Sequence, residues 1–327
     1  MNRRDTVLAL LALGAVPRIA TAQTPPRVYR LGLVLSGEPV TAGNPFIDAL
    51  VRGLAQYNYE IGRNLALEPR GAQNREERYP QLVDELVASK VDVIVTFGYP
   101  AARAAKQRSA NVPVVVFGAG DPVASGLVDS LARPGGNLTG TSDVAAELAP
   151  KRLQLLKEVK PQLRRVAMIW NAGDLGMTLR YESSAAAARL LGIMVQPYGV
   201  REPEDFGNAF ELMTRDPPDA ILMVADRLTN LNRKKVFEFA ATHRLPSIYE
   251  GEASVIDGGL MSYGPDFNEV FARTASLISR IFKGTRPSDL PFEQPTRFRF
   301  VINMKTANTL GLKFPQSVLV QADRVIE

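Results

Sequence analysis

Cysteine is absent from the 327-residue sequence, and histidine and tryptophan occur once each. Without cysteine the chain can form neither a disulfide nor a thiolate metal site, and it cannot carry a lipid anchor attached to a cysteine at a cleavage point. His243, the single histidine, cannot supply the several ligands that a zinc site needs. The fold must therefore be held by packing alone, and we expect no metal and no cofactor.

Long apolar runs and a strong net charge are missing as well. Downstream of residue 22, no stretch approaches the ~20 apolar residues that cross a bilayer, so we expect no membrane-spanning segment. The formal charge of +5 falls to +3 without residues 1–22, and no run of Lys and Arg exceeds three residues. Such a mild positive excess does not favour a nucleic-acid partner.

The N-terminus has the three parts of a bacterial secretory signal. Arg3-Arg4 gives a positive start, residues 7–16 are apolar, and residues 20–22 (Ala-Thr-Ala) offer a cleavage site after Ala22. The arginine pair is compatible with twin-arginine export, but Asp5-Thr6 follows where that signal prefers other residues, so the Sec route is favoured. An ordinary first helix is the alternative. We expect a periplasmic protein that has lost residues 1–22.

From Val28 onward, short apolar runs alternate with helix-patterned segments. Residues 29–35, 91–97 and 112–117 are rich in β-branched side chains and apolar on consecutive positions, which is typical of strands buried on both faces of a parallel sheet. Between them, apolar residues recur at helical spacing, with one stripe made of Phe46, Leu50, Leu54 and Tyr57 and another of Tyr79, Leu82, Val83 and Leu86. Strand followed by helix, repeated, predicts right-handed βαβ units in an open, doubly wound sheet.

The same alternation starts again in the second half of the chain. Strands are predicted at residues 164–170, 193–198, 219–224 and 245–250, and later at a segment near 260 and at 298–304. The predicted fold class is α/β, with two doubly wound parallel-sheet lobes joined by a three-segment hinge. We expect residues 28–140 and 264–290 in lobe 1, and residues 141–263 and 291–327 in lobe 2. Three connections allow hinge motion but prevent free drift.

Ligands of open α/β sheets bind beyond the carboxyl ends of the strands. Applied to each predicted strand, this rule selects the candidate ligand-binding residues Ser36, Gly98, Tyr99, Pro100, Ala101, Gly120, Asp121, Trp170, Asn171, Asp226, Tyr249 and Glu250. Pro100 falls where a helix begins, and free backbone N–H groups there would receive a carboxylate. No phosphate-binding loop motif follows a strand.

Three of the singled-out residues have competing interpretations. Asp121 either caps a helix predicted over residues 122–132 or points into the cleft to receive an ammonium group. Trp170 either stacks on a flat ligand or packs between the lobes. His243 lies late in a helical pattern, where a surface or helix-terminal role is favoured over chemistry.

Enzymatic activity is not favoured. A Ser-His-Asp triad would need His243, and the sequence has no G-x-S-x-G nucleophile elbow. Two-carboxylate hydrolysis is the open alternative, because Asp121, Asp226 and Glu250 could face one another across a cleft. A single tryptophan, however, offers no aromatic platform for a sugar. We expect no catalytic residues and no catalysis.

Three long segments carry a resemblance to a known family. They are residues 120–140 (GDPVASGLVDSLARPGGNLTG), 258–274 (GGLMSYGPDFNEVFART) and 291–315 (PFEQPTRFRFVINMKTANTLGLKFP). In this order they resemble the periplasmic substrate-binding proteins of ABC transporters, in the tryptophan/tyrosine-type group. The resemblance implies a type I, Venus-flytrap fold in a monomer. It also implies capture of a small molecule, chiefly an aromatic or other hydrophobic amino acid, for an inner-membrane permease with its ATPase.

We expect the ligand to bridge both rims when the hinge closes. Residues 98–101 would hold its carboxylate, Asp121 or Glu250 its ammonium, and Tyr99, Trp170 or Tyr249 its side chain, with Ser36 and Asn171 completing the rims. The chain departs from the family at Tyr99, where a small or hydroxyl residue is common. It departs again at residues 172–174 (Ala-Gly-Asp), where the family often continues with proline.

A ligand-sensing accessory protein is the remaining alternative, because the same two-lobed fold serves repressors and receptors. A repressor needs a helix-turn-helix ahead of the lobes, and a receptor needs a membrane span. The sequence shows an export signal instead, so the transport interpretation is preferred.

Overall fold

The computed structural model of the chain describes residues 27–39 and 43–327. The predicted signal sequence, residues 1–22, lies outside the described residues. Across the part of the chain that is described, no helix combines the length and the apolar character needed to cross a membrane.

The first lobe is built on a five-stranded sheet in the order β2-β1-β3-β4-β5. Its strands are β1 (Tyr29–Leu35), β2 (Leu65–Gly71), β3 (Val93–Phe97), β4 (Val114–Phe117) and β5 (Leu138–Gly140). All neighbouring pairs run parallel. The central strands are buried on both faces, as their consecutive apolar residues predict.

The second lobe has a seven-stranded sheet in the order β12-β11-β10-β9-β8-β6-β7. Its strands are β6 (Arg165–Asn171), β7 (Met194–Val200), β8 (Ala220–Met223), β9 (Ser247–Tyr249), β10 (Met261–Pro265), β11 (Phe298–Asn303) and β12 (Arg324–Ile326). The pairing is parallel except between β10 and β11, which are antiparallel. The prediction of two α/β lobes with parallel sheets is confirmed, and the last two strands reverse direction.

Helices cover the faces of both sheets. In chain order the α-helices of the described residues are α1 (Pro45–Ala55), α2 (Tyr79–Ala88), α3 (Gly98–Arg108), α4 (Ala149–Val159), α5 (Leu175–Leu190), α6 (Asp205–Arg215), α7 (Arg227–His243), α8 (Glu252–Ile256), α9 (Phe267–Phe282), α10 (Met304–Leu310) and α11 (Gln316–Leu319). Single 3-10 turns lie at Glu76–Arg78 and Pro287–Asp289.

Helix α9 belongs to the first lobe although it follows most of the second lobe in sequence. Val270, Phe271 and Ile278 are buried with Leu31 and Ile47 of the first lobe in one apolar cluster. The chain therefore passes between the lobes three times, after β5, after β10 and before β11.

The three crossings are hydrogen-bonded to one another. Ser142 N–H donates to the Glu293 carbonyl at 2.9 Å, and Asp266 N–H donates to the Arg297 carbonyl at 2.9 Å. The Glu269 carboxylate of α9 accepts from the Arg297 N–H at 2.8 Å. The third crossing is thus tied to both the second crossing and the first lobe.

Several local predictions differ from the structure. Residues 122–132 form turns rather than a helix, with Gly126 at φ +72°. In α1 the buried stripe includes Ile47 and Leu50, whereas Phe46 is exposed. Strand β2 was not predicted, because Pro69 and its alternating polar residues do not read as a buried strand; it lies at the edge of its sheet, where proline is tolerated.

Candidate functional site

The carboxyl ends of the strands in both sheets face a shared cleft, which we define as the space between the residues that follow β1–β4 and those that follow β6, β8 and β9. The lobes touch across it. Arg227 Nε, at the start of α7, donates to Asn74 Oδ1 of the first lobe. The Arg227 guanidinium also covers Gly37, where a Cβ atom would lie 2.7 Å from its Nη2. The structure therefore describes a closed form.

Helix α3 presents an uncapped N-terminus to the cleft. It begins at Gly98, directly after β3, and Phe97 at its N-cap offers no side-chain acceptor. Gly98 has φ +74°, and nothing lies within 4 Å of where its Cβ would stand. On the opposite lobe, α5 and α7 begin with the capping carboxylates of Asp174 and Asp226. Only the α3 N–H groups among these three helix starts are left for an external acceptor.

A buried group of four charges lies at the hinge end of the cleft. Arg180 of α5 donates to Asp143 Oδ2 at 2.5 Å and to Glu250 Oε2 at 2.9 Å. Arg152 of α4 donates to Glu250 Oε1 at 3.0 Å. Burial alone would lower the pKa of Arg180, but the charges of Asp143 and Glu250 outweigh it and hold that pKa above its ordinary value.

Arg180 keeps one donor unused. Its Nε is buried and has no hydrogen-bond partner within the described residues. The guanidinium lies beside Gly120 of the first lobe, where a Cβ atom would stand 3.8 Å from Nε. A buried donor without an acceptor costs about 1–3 kcal/mol, and more when charged. The space next to Gly120 is therefore suited to an acceptor oxygen from outside the protein.

Three carboxylates of the cleft are near enough to influence one another electrostatically. Glu76 stands in the 3-10 turn after β2, and Asp174 and Asp226 cap their helices from the second lobe. Burial of the carboxyl group, together with the negative charges of Asp174 and Asp226, raises the pKa of Glu76 to about 7 although the residue as a whole is exposed. Burial raises the pKa of Asp174 as well, with Asp226 contributing. The combined negative charge of these three carboxylates favours a cationic group beside them.

Apart from Asp121, the predicted residues of the first-lobe rim follow the ends of strands that border the cleft. Ser36 follows β1, residues 98–101 start α3, and Gly120 follows β4. Because Phe97 and Phe117 are register partners in neighbouring strands, Gly98 at the start of α3 lies beside Gly118, which follows β4. Asn171 lies on the second-lobe rim, where its Nδ2 donates to Asp226 Oδ2 at 2.6 Å and orients that carboxylate.

Asp121 supports the capping interpretation. It is exposed, and its Oδ1 accepts from the N–H groups of Val123 at 3.1 Å and Ala124 at 2.9 Å. It caps a turn, since the helix predicted after it is not formed. Glu250 is equally committed, because both its oxygens are bonded to arginines and Oε2 also accepts from Ala225 N–H at 2.9 Å. An ammonium would have to compete with those partners.

The two remaining aromatic candidates pack inside the second lobe. Trp170 stacks on Tyr181 with ring centroids 3.9 Å apart and planes 5° from parallel. This is packing within one lobe rather than between lobes or against a ligand. Tyr249 is 1% exposed, and its hydroxyl hydrogen-bonds to Ser247 Oγ at 3.1 Å. Its ring meets Phe237 edge-on, in the core behind the cleft.

The arrangement does not assemble a catalytic carboxylate pair from the proposed residues. Asp226 is bonded to Asn171 and Thr229, Glu250 to two arginines, and Asp121 to its own turn. His243 is exposed in the last turn of α7, next to Phe239. Within the residues described, no three His, Cys, Asp or Glu side chains are grouped as a metal ion would require.

Sequence reasoning missed several residues of the cleft. Glu76 was missed because strand β2, which precedes it, was not predicted, and the strand-end rule was therefore not applied at that point of the chain. Asp174 lies in residues 172–174, which were singled out only because the family often has proline there. An aspartate directly before a helix is a typical N-cap, and that signal could have identified it. Arg152 and Arg180 lie within helices, where nothing in a single sequence distinguishes a buried arginine from a surface one.

Two α/β lobes, three crossings and a charged cleft at the strand ends define a two-lobed binding protein of the type I periplasmic fold. The chain belongs to the ABC transporter substrate-binding protein family, whose model matches residues 44–326. Proteins of this family bind small-molecule solutes outside the cytoplasm for a transporter and are in general not enzymes. The family and fold expected from the three sequence segments are both confirmed.

Similar proteins are found among characterised sequences and solved structures. A protein named tyrosine-binding protein from Clostridioides difficile (strain R20291) is 25% identical over 263 residues, which cover 80% of this chain and 75% of that protein. A conserved domain protein from Vibrio cholerae O1 biovar El Tor is 25% identical, with a TM-score of 0.85. An ABC domain from Streptococcus pneumonia, solved in complex with L-Trp, is 25% identical, with a TM-score of 0.83. Both structures match 91% of this chain and 100% of their own.

Proposed function

We propose that this protein is the periplasmic solute-binding component of an ABC importer and captures an aromatic or other hydrophobic amino acid by closure of its lobes. The observation that carries the proposal is that the cleft offers free groups of both signs. An uncapped helix N-terminus and an unused arginine N–H can receive an anion, and the carboxylates of Glu76, Asp174 and Asp226 can receive a cation. The two sets suit the carboxylate and the ammonium of a zwitterion.

The carboxylate would lie between residues 98–101 and Arg180. Gly98 leaves open space, and the adjacent strand end leads to Gly120, beside which Arg180 Nε has no acceptor. Hydrogen bonds from a charged donor to a carboxylate are among the strongest in proteins. A helix N-terminus adds about 0.3–1 kcal/mol, and up to ~2 kcal/mol when partly buried.

The ammonium would lie among Asp226, Asp174 and Glu76. This replaces Asp121, which is exposed and caps its own turn, and Glu250, whose charge is already balanced by two arginines. Asp226 is the best placed of the three because Asn171 holds it in position and its pairing spans two strand ends of the second lobe. A cation there would offset the mutual repulsion of the carboxylates.

The ligand side chain would contact Tyr99 and Tyr79, both in the buried apolar cluster of the first lobe. Two aromatic rings at the cleft suit an aromatic or aliphatic group. The names of two similar proteins, a tyrosine-binding protein and a domain solved with L-Trp, support the same class.

A calorimetric and thermal-shift screen of the purified protein against the standard amino acids tests the proposal. Micromolar binding corresponds to about −8 kcal/mol, and a thousandfold excess of ligand over Kd stabilises the folded protein by about 4 kcal/mol. L-Tyrosine, L-tryptophan or L-phenylalanine should raise Tm by several degrees, and the bound molecule should be recovered unchanged.

A matched pair of variants makes the test specific. Asp226→Asn keeps a capping residue, since Asn caps about as well as Asp, but removes the negative charge from the cleft. Asp121→Asn makes the same change outside it. Affinity should fall at least tenfold in the first and stay unchanged in the second. Equal affinities in both variants, or no response to any amino acid, would contradict the proposal.

A further inference from the structure

The N-terminal turns of α3 and α5 meet across the cleft at one point. Tyr99 is the second residue of α3 in the first lobe, and Gly176 is the second residue of α5 in the second lobe. A Cβ atom on Gly176 would stand 3.2 Å from the Tyr99 Cβ and 3.8 Å from its Cγ. Gly176 is buried, and Tyr99 is 8% exposed. The two helix starts are therefore in direct contact in the closed form.

This contact cannot be relieved by rotating a side chain. The nearest opposing atom is the Cβ of Tyr99, whose position is set by the α3 backbone rather than by a rotamer. Gly176 is not among the residues with positive φ, so its backbone conformation suits alanine or valine. Asp174 Oδ1 is equally near, at 3.2 Å, but it belongs to the same lobe and stays there whether the lobes are open or closed. An added side chain at Gly176 would therefore push on the opposite lobe.

We propose that the contact between Tyr99 and Gly176 sets how far the lobes close, and that Gly176 is a positioning residue that controls ligand affinity through closure without touching the ligand. The effect on affinity rests on the proposed function. The effect on closure does not.

The sign of the expected effects separates this role from a structural one. Alanine favours helices more than glycine does, so Gly176→Ala should leave the ligand-free Tm unchanged or slightly higher. Overpacking a close contact is unfavourable, so Kd for L-tyrosine or L-tryptophan should rise about tenfold in Gly176→Ala and further in Gly176→Val. A residue needed only for folding would lower Tm in the absence of ligand as well.

Disulfide trapping tests the contact directly, because the chain has no cysteine of its own. In the Tyr99→Cys/Gly176→Cys double variant the Cβ atoms would lie 3.2 Å apart, close to the ~3.8 Å typical of disulfides. Mild oxidation should give an intramolecular disulfide, and each single variant should give none. A folded double variant that forms no intramolecular disulfide would overturn the proposal.

A second pair of cysteines measures closure without a ligand. Asn74 and Arg227 meet at a different point of the cleft, so Asn74→Cys/Arg227→Cys can be linked by a short bismaleimide. Linking should be several-fold slower when Gly176→Val is added, and equal rates would refute the role in closure. If Gly176→Val slows linking but neither L-tyrosine nor L-tryptophan changes Tm or the trapping rate, the proposed ligand class fails and the closure role stands.

Discussion

Glu269→Gln is the sharpest test of how the lobes are held together. The Glu269 carboxylate accepts from Arg273 at 2.7 Å, from Thr296 Oγ1 at 2.7 Å and from Arg297 N–H at 2.8 Å. It ties α9 to the third crossing. Burial alone would raise the pKa of Glu269, but these hydrogen bonds outweigh it and lower the pKa to about 2.

The magnitude follows from that pKa. A carboxyl group with a pKa of about 2 in the folded protein and 4.5 in the unfolded chain stabilises the fold at neutral pH by roughly 3 kcal/mol. Because the pKa is lowered by folding, this contribution is complete above pH 4.5 and is lost as the pH falls from 4.5 toward 2. Glutamine carries no charge at any of these pH values, so Glu269→Gln should be several kcal/mol less stable at pH 7 and much closer to wild type near pH 2.

Urea unfolding of both proteins at pH 7 and at pH 3 measures the difference. Asp289→Asn is the matched control, because Asp289 pairs with Arg286 at an exposed site of the same lobe, where an ion pair contributes little. That variant should match wild type at both pH values. A Glu269→Gln protein as stable as wild type at pH 7, or one whose deficit is the same at pH 3, would refute the reasoning.

Three further predictions concern the cleft. Glu76 has a pKa of about 7, and a ligand cation binds its ionised form better, so the affinity for amino acids should rise between pH 6 and pH 8. This pH dependence should disappear in Glu76→Gln. A wild-type Kd that does not change over this range would contradict the prediction. Arg180→Gln should lower the free energy of unfolding by about 3–5 kcal/mol, because it leaves buried carboxylates without their cation. Urea unfolding measures the loss, and Arg189→Gln, which changes an exposed position on the same helix, is the control. Trp170→Phe should keep the Kd for the ligand within about threefold of wild type by calorimetry, because the ring is stacked on Tyr181 and the variant retains aromatic packing. A large loss of affinity would instead support stacking of Trp170 on the ligand.

The cleft combines two charge arrangements with different consequences. Near the hinge, Arg152 and Arg180 are balanced by Asp143 and Glu250, so this group has no net charge. Glu76 comes from the first lobe and Asp174 and Asp226 from the second, and the negative charges of the last two contribute to the raised pKa of Glu76. Under the proposed function, a ligand ammonium among them would offset this repulsion and so favour the closed form.

Much of the fold could be predicted because its information is local. Consecutive apolar β-branched residues marked β3 and β4, and helical spacing marked Tyr79, Leu82, Val83 and Leu86, all of which are buried. The strand-end rule selected Ser36, Gly98 and Gly120 as the first-lobe rim, and in the structure they follow β1, β3 and β4. Where the local signal was weak, as in β2 with Pro69, the prediction failed and a cleft residue was lost with it.

The direction of a side chain at a strand end was not predictable in the same way. Trp170 and Tyr249 end their strands beside the cleft in sequence, yet both rings turn into the second lobe. Successive residues of a strand point to opposite faces, and the residue at which the strand stops depends on neighbours far away in the chain.

The sequence by itself determined the class of protein and its architecture, namely two parallel α/β lobes and a family resemblance that the comparisons confirm; the export signal stays a prediction. Tertiary structure alone decided which charges meet. Arg180 is separated from Glu250 by seventy residues, and Tyr99 touches Gly176 across two lobes. Packing within the second lobe creates the first pair and closure of the two lobes creates the second, and no periodicity or spacing along one chain encodes either distance.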